Sequence, residues 1–261
     1  MPYVHPGDRP LQHWLLYGYT GARKTVAAAG WPKPMLVYMF DPFGKDGPYL
    51  SQGKAGGLFM DNGTPCQYVM GAQGEVLINI VYLFDVNPAR PATRDKPMAY
   101  ERFQAYFDSV PHEEFATVVV DSTSSFRECV YNLHKYKLNP KFDGRSWHMN
   151  AGDAIRNDLM NTLSYMMTNT VMIAHVQHQV EGATEKVLKE FSAPGQLKTI
   201  LGSKAGEVYF VHAKDKQGGG TESFFQTEAN ESFMAQTHIF APNHCSARYE
   251  ALWSNYRGTA Y

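Results

Sequence analysis

Short, nearly unbroken apolar runs alternate along this chain with segments of helical period, and that alternation is the strongest constraint on its fold. MLVYMF (Met35–Phe40), VLINIVYLF (Val76–Phe84), FATVVVD (Phe115–Asp121) and TVMIAHVQ (Thr170–Gln177) all read as strands. A strand covered on both faces loses the usual polar–apolar alternation, so MLVYMF belongs inside a sheet. Between these runs, Tyr100, Phe103, Tyr106 and Phe107 recur at helical spacing over Met98–Val110. Further helices are expected over about 122–136 and from about 151 to 169, separated by a polar loop of about 137–151. Strands alternating with helices make a parallel-rich sheet with crossover connections. The expected fold class is therefore α/β: a mostly parallel central sheet flanked by helices, in one domain spanning 1–261. GEVYFVHA (Gly206–Ala213) and the stretches around Phe224 and Phe233 read as C-terminal antiparallel strands. Residues 42–75 hold many glycines and are expected to form an irregular or hairpin-rich insertion. A polar loop is expected from Gln177 to about 194, and the tail of about 242–261 has no assignment.

Composition narrows the partners. Hydrophobic residues at 44% and charged residues at 19% describe an ordinary globular chain. The net charge of −1 gives no overall attraction to nucleic acid, so any such contact needs a local basic patch. Cys66, Cys129 and Cys245 form neither a disulfide framework nor a zinc pattern. No signal peptide is evident at the N-terminus, and no apolar run approaches the roughly 20 residues a membrane helix needs. A cytoplasmic protein without membrane contact is expected.

The turn after the first strand carries the chemistry. HWLLYG (His13–Gly18) reads as that strand, and KTVAAAG begins a short helix that stops at Gly30 and Pro32. Between them, GYTGARKT nearly matches the phosphate-loop pattern of Gly, four residues, Gly, Lys, then Ser or Thr. Gly18, Lys24 and Thr25 are in place, with Arg23 where the second glycine belongs. Such a loop needs inward-pointing amides, a lysine for the terminal phosphates and a hydroxyl for Mg²⁺. Gly18 to Thr25 (Gly18, Tyr19, Thr20, Gly21, Ala22, Arg23, Lys24 and Thr25) are the candidate nucleotide-binding residues. A helical conformation is expected at Arg23, where arginine is tolerated and its guanidinium can face a phosphate; a positive φ there would instead cost arginine roughly 1 kcal/mol or more. Asp121, ending an apolar strand, supplies a carboxylate that can hold Mg²⁺ opposite the Thr25 hydroxyl. ATP and Mg²⁺ are the expected cofactors.

The strings WLLYGYTGARKT, WPKPMLVYMFDP, FATVVVDSTSSF, VMIAHVQ and PGQLKTILGSKAGEVYFV, in that order, resemble phage-encoded RecA-like P-loop ATPases. Some members of that group act as single-strand annealing recombinases. The resemblance spans about residues 11–240. It implies a RecA-like core and an acidic general base after the second strand, where Asp41 is the nearest match and Asp46 the alternative. It also implies a γ-phosphate sensor at Gln177, beside His175. The catalytic set is then Lys24, Asp41, Asp121 and Gln177, with Thr25 and Asp121 on the metal.

DNA-binding loops of such proteins follow the helix after the Asp strand and the sensor strand. The first maps onto YKLNPKFDGRSWHMN, with Lys137, Lys141, Arg145 and Trp147. The second maps onto HQVEGATEKVLKEF, with Lys186 and Lys189 among three glutamates. Cations mixed with an aromatic suit a phosphate backbone with stacked bases. Single-stranded DNA is thus an expected partner, and a homo-oligomeric ring or filament an expected assembly, to which Arg248 and Arg257 could lend fingers. The leading expectation is an ATPase of phage recombination or replication, expressed in a bacterial host. The alternatives are a non-catalytic nucleotide-binding or structural assembly protein, and a small-molecule kinase.

Overall fold

The computed structural model describes residues 11–42, 44–85, 96–137, 144–161, 163, 165–181, 186–191, 204–216, 219–230, 233–239 and 241–254. Of residues 144, 145, 147, 148, 160, 177–181 and 186–191, only the backbone is described.

Six strands run parallel in the order β9-β1-β7-β6-β2-β5. They are β1 (His13–Gly18), β2 (Met35–Met39), β5 (Val76–Tyr82), β6 (Thr117–Asp121), β7 (Asn169–Glu181) and β9 (Glu207–Asp215). Antiparallel strands extend both ends of the sheet. β4 (Thr64–Met70) and β3 (Lys54–Asp61) continue it beyond β5, and β10 (Thr221–Gln226) and β11 (His244–Ser246) continue it beyond β9. The mostly parallel α/β class expected from the sequence is the observed one. The insertion after β2 is a short helix, α2 (Gly47–Leu50), followed by the β3–β4 hairpin.

Period-two side-chain alternation divides the core between two faces. Leu15, Tyr17, Leu36, Tyr38, Val118 and Val120 face one side, packed with Phe103 and Phe126. Those aromatics come from α3 (Ala99–Ser109) and α4 (Thr123–Lys137). Trp14, Leu16, Val37, Met39, Val119 and Val171 face the other, with Ala27 and Ala28 of α1 (Lys24–Ala28) and Leu252 of α6 (Tyr249–Leu252). Every residue of β2 and β6 is buried. At roughly 1.5–3 kcal/mol per large apolar side chain, this double burial dominates the stability of the sheet. It also holds the C-terminal ends of β1, β6 and β2 rigidly at one edge.

Four expectations need correction. GEVYFVHA does not open an antiparallel meander, because β9 lies parallel to β1 and the reversal begins at β10. Phe233 forms an isolated bridge with Asn230 rather than a strand. The loop expected over 137–151 is shorter, since α4 runs to Lys137 and α5 (Gly144–Ala154) begins within it, continuing as a π-helical turn over Ile155–Asn161. The loop expected after Gln177 is instead a hairpin, in which β7 runs on to Glu181 and pairs with β8 (Lys186–Phe191). Among the described residues, no helix is long and apolar enough to cross a membrane.

Candidate phosphate and metal site

β1 delivers the turn Tyr19–Arg23 to the sheet edge, and α1 leaves from it. Gly18 faces Val211 of β9 in register, where a Cβ would meet the Val211 carbonyl oxygen at 2.2 Å. Glycine is required there by the neighbouring strand. Gly21 has φ +84°, the left-handed region that glycine enters without strain. Ala22 N–H closes the turn onto Tyr19 O at 3.1 Å, and Ala27 N–H donates to Arg23 O at 3.0 Å. The amides that open α1 precede its first internal bond, as at any helix start. With five residues, α1 contributes little macrodipole. Anion binding would fall mainly to the turn amides and to Lys24.

Arg23 is not helical. It caps α1 with φ 65°, ψ 33° and donates from Nη1 to the Thr221 carbonyl oxygen of β10 at 2.6 Å. Its guanidinium therefore ties the turn to the sheet edge. A non-glycine residue there is held against about 1 kcal/mol or more of steric strain.

Lys24 is buried, and its Nζ donates to Gly18 O and Tyr19 O, both at 2.9 Å. Burial lowers its pKa to about 8, against the attraction of Asp121 and Asp41. Thr25 Oγ1 donates to Asp121 Oδ2 at 2.9 Å. The same oxygen accepts from Tyr49 OH of α2 at 3.0 Å. Burial, then repulsion from Asp41, raises the Asp121 carboxyl to about 6, while Thr25, Tyr49 and Lys24 pull it down. A cis peptide links Asp121 to Ser122.

Asp41, two residues beyond β2, belongs to the same cluster. Its Oδ2 pairs with Lys45 Nζ at 3.0 Å. Its Oδ1 accepts from Ser122 Oγ at 3.2 Å and from Ser125 Oγ. Burial pushes this carboxyl up, but the bonds from Ser125, Lys45 and Ser122 outweigh it and hold it below the ordinary range. Asp46 is engaged elsewhere, accepting from Tyr82 OH at 2.5 Å and from Gly44 N–H at 3.2 Å. Asp46 touches the Asp121 cluster through its backbone carbonyl, which accepts from Tyr49 N–H at 2.9 Å, whereas the Asp41 carboxylate itself is bonded beside Asp121 through Ser122.

β7 lies between the strand of the turn and the strand of Asp121. His175 stands opposite Gly18, and its backbone N–H donates to Ser124 Oγ at 3.2 Å. Its Nδ1 is buried without a hydrogen-bond partner among the described residues. Burial and then the Lys24 charge lower its pKa. Gln177 lies two residues further along β7, at the register position opposite Glu190 of β8.

The described residues among those expected to contact DNA belong to α4, α5 and β8. Lys137 ends α4, with Nζ 2.9 Å from Glu101 Oε1. Arg145 and Trp147 lie on α5, Lys186 and Lys189 on β8, and Lys141 and Arg257 lie outside the described residues. Arg248 caps α6.

Two cavities flank the Arg23–Thr221 contact, and Thr221 borders both. One, of about 620 Å³, lies between Tyr19–Ala22 and Phe210, His212 and Phe233. The other, of about 510 Å³, is lined by Arg23, Val26, Lys216, Ser223, Arg248 and Tyr249. Neither is lined by Lys24, Thr25 or Asp121. The Lys24 ammonium instead turns onto carbonyls of its own loop.

No family model and no curated protein matches the chain. Among solved structures it is similar to a KaiC-like protein from the archaeon Pyrococcus horikoshii. That match has 16% identity over 82% of this chain and 77% of the other, with a TM-score of 0.39. It is also similar to the flagellar accessory protein FlaH of Methanocaldococcus jannaschii, at 9% identity over 90% and 84% of the two chains, with a TM-score of 0.38.

The donor set fits a hard divalent cation. Thr25 Oγ1 and Asp121 Oδ2 are oxygen donors already in contact, and a cation between Asp121 and a phosphate would relieve the repulsion that Asp41 exerts on Asp121. Sequence reasoning missed Tyr49, one of four aromatics in the glycine-rich stretch 42–75, and Lys45. No motif marks either one.

Proposed function

We propose that the chain is an ATP-binding, ATP-hydrolysing RecA-like protein. The observation that carries this reading is the convergence of Lys24, Thr25, Asp121 and Asp41 at one sheet edge, delivered by β1, β6 and β2. Lys24 would leave the carbonyls of Gly18 and Tyr19 to neutralise the terminal phosphates. Thr25 and Asp121 would hold Mg²⁺, which when bound would offset the negative charge of the phosphates. Asp41, fixed by two serine hydroxyls, would orient the attacking water, with His175 or Gln177 reporting the γ-phosphate through β7. Either cavity beside Arg23 has the volume for a nucleoside.

Action on single-stranded DNA in phage recombination or replication, as a ring or filament in the cytoplasm, is the finer part of the proposal. Its support is the ordered sequence resemblance and the lysines of β8. ATP hydrolysis measured with and without single-stranded DNA, with Lys24→Ala as control, tests both parts. Absence of nucleotide binding by the parent protein would refute the reading.

A second reading is a non-catalytic nucleotide-binding or assembly protein. It is favoured by the left-handed Arg23 tied to Thr221 and by Lys24 satisfied within its own loop. That reading expects binding without turnover.

A further inference from the structure

Lys45 follows Asp41 by four residues, in the segment joining β2 to α2. Its ammonium pairs with Asp41 Oδ2 at 3.0 Å, yet 58% of its side chain is exposed, against 7% for Asp41. The two ends of this pair are held differently. Asp41 also accepts the Ser122 and Ser125 hydroxyls, on its other oxygen. Lys45 has a long stem and an outward approach to the site. Its charge also reaches Lys24 and His175, disfavouring protonation of each, so it acts on the space where the terminal phosphate would lie.

The energetics favour exchange. The exposed Lys45 end of the pair is accessible to water and screened by it. A charge-assisted contact to a phosphate oxygen is stronger, and the phosphate carries more charge than one carboxylate.

We propose that Lys45 is a specificity-determining cation, drawn from Asp41 Oδ2 by the terminal phosphate of a bound nucleoside triphosphate. A diphosphate lacks that group and leaves the ion pair intact. The exchange also frees one Asp41 oxygen to accept a hydrogen bond from water beside the phosphate. The inference rests on the nucleotide reading of the Lys24 site and adds its selectivity for the triphosphate.

The test compares dissociation constants of a non-hydrolysable ATP analogue and of ADP, each with Mg²⁺, for the full chain, Lys45→Ala, Lys45→Arg and Lys24→Ala. The parent should prefer the triphosphate. Lys45→Ala should reduce that preference by about tenfold, the order of one charge-assisted hydrogen bond, with ADP affinity unchanged. Lys45→Arg should retain part of it, and Lys24→Ala should weaken both ligands. A parent without preference, or Lys45→Ala with the preference intact or with both ligands weakened equally, overturns the inference and leaves the nucleotide reading standing. A parent that binds neither ligand overturns both.

Discussion

Thr25 donates its hydroxyl to Asp121 at 2.9 Å although the two stand 96 positions apart and the strand β7 lies between their own strands. The contact exists because β1 and β6 end at the same edge of a parallel sheet. Parallel strands align their C-terminal ends, so residues just beyond them converge whatever their sequence separation. The pair is the structural core of the proposed Mg²⁺ site.

The first prediction concerns pH. Lys24 must be protonated to hold phosphate, and its pKa is lowered to about 8. Asp121 must be ionised to hold Mg²⁺, and its pKa is raised to about 6. Affinity for Mg-nucleotide should therefore fall below about pH 6, as Asp121 gains a proton, and above about pH 8, as Lys24 loses one. Titrating binding from pH 5 to 9 checks this. Asp121→Asn should weaken binding, flatten the acid limb and, by removing a charge that raises the Lys24 pKa, move the alkaline limb to lower pH.

Tyr49→Phe isolates the second donor to Asp121. Tyr49 is fully buried, and its hydroxyl lowers the Asp121 pKa. Removing it should move the acid limb of the binding profile upward and cost about 1 kcal/mol of stability by urea denaturation. An unmoved limb would show that Tyr49 serves packing alone.

Arg23 supplies a paired test. Arg23→Ala keeps the left-handed backbone for a Cβ-bearing residue and loses the bond to Thr221. Arg23→Gly loses the same bond but relieves the strain, offset in part by glycine's greater freedom in the unfolded chain. Arg23→Gly should thus be the more stable variant by up to about 1 kcal/mol in chemical denaturation.

Gly18→Ala should be far more damaging. Its Cβ would meet backbone, the Val211 carbonyl oxygen at 2.2 Å, which cannot rotate away. A loss of about 1–3 kcal/mol is expected in denaturation midpoint measurements, the usual scale of overpacking.

These residues also show what the sequence reveals and what it hides. β1, β2 and β6 were legible because strands buried on both faces are nearly continuous in apolar residues. Lys24, Thr25 and Asp121 were legible because their spacing and strand context form a motif. The β7–β8 hairpin was not, since HQVEGATEKVLKEF is charged and lacks the apolar face that marks a half-buried strand. α5 was hidden for a related reason, its start lying in a polar stretch with Gly144 and Asp143 that reads as loop. The left-handed Arg23 was hidden because neighbouring residues favour a helix, while the backbone there is set by the sharp passage from β1 to α1. Tyr49 was hidden because its burial against Asp121 is created wholly by tertiary structure.

The most direct test of the central claim is Mg-ATP binding and turnover by the parent protein beside Lys24→Ala, at pH 7. The account predicts saturable binding and hydrolysis by the parent. Lys24→Ala should bind about 10- to 150-fold more weakly, the equivalent of about 1.5–3 kcal/mol for hydrogen bonds to a charged group, and should not turn over. A parent that binds no nucleotide, or a Lys24→Ala variant that binds as tightly as the parent, would contradict it.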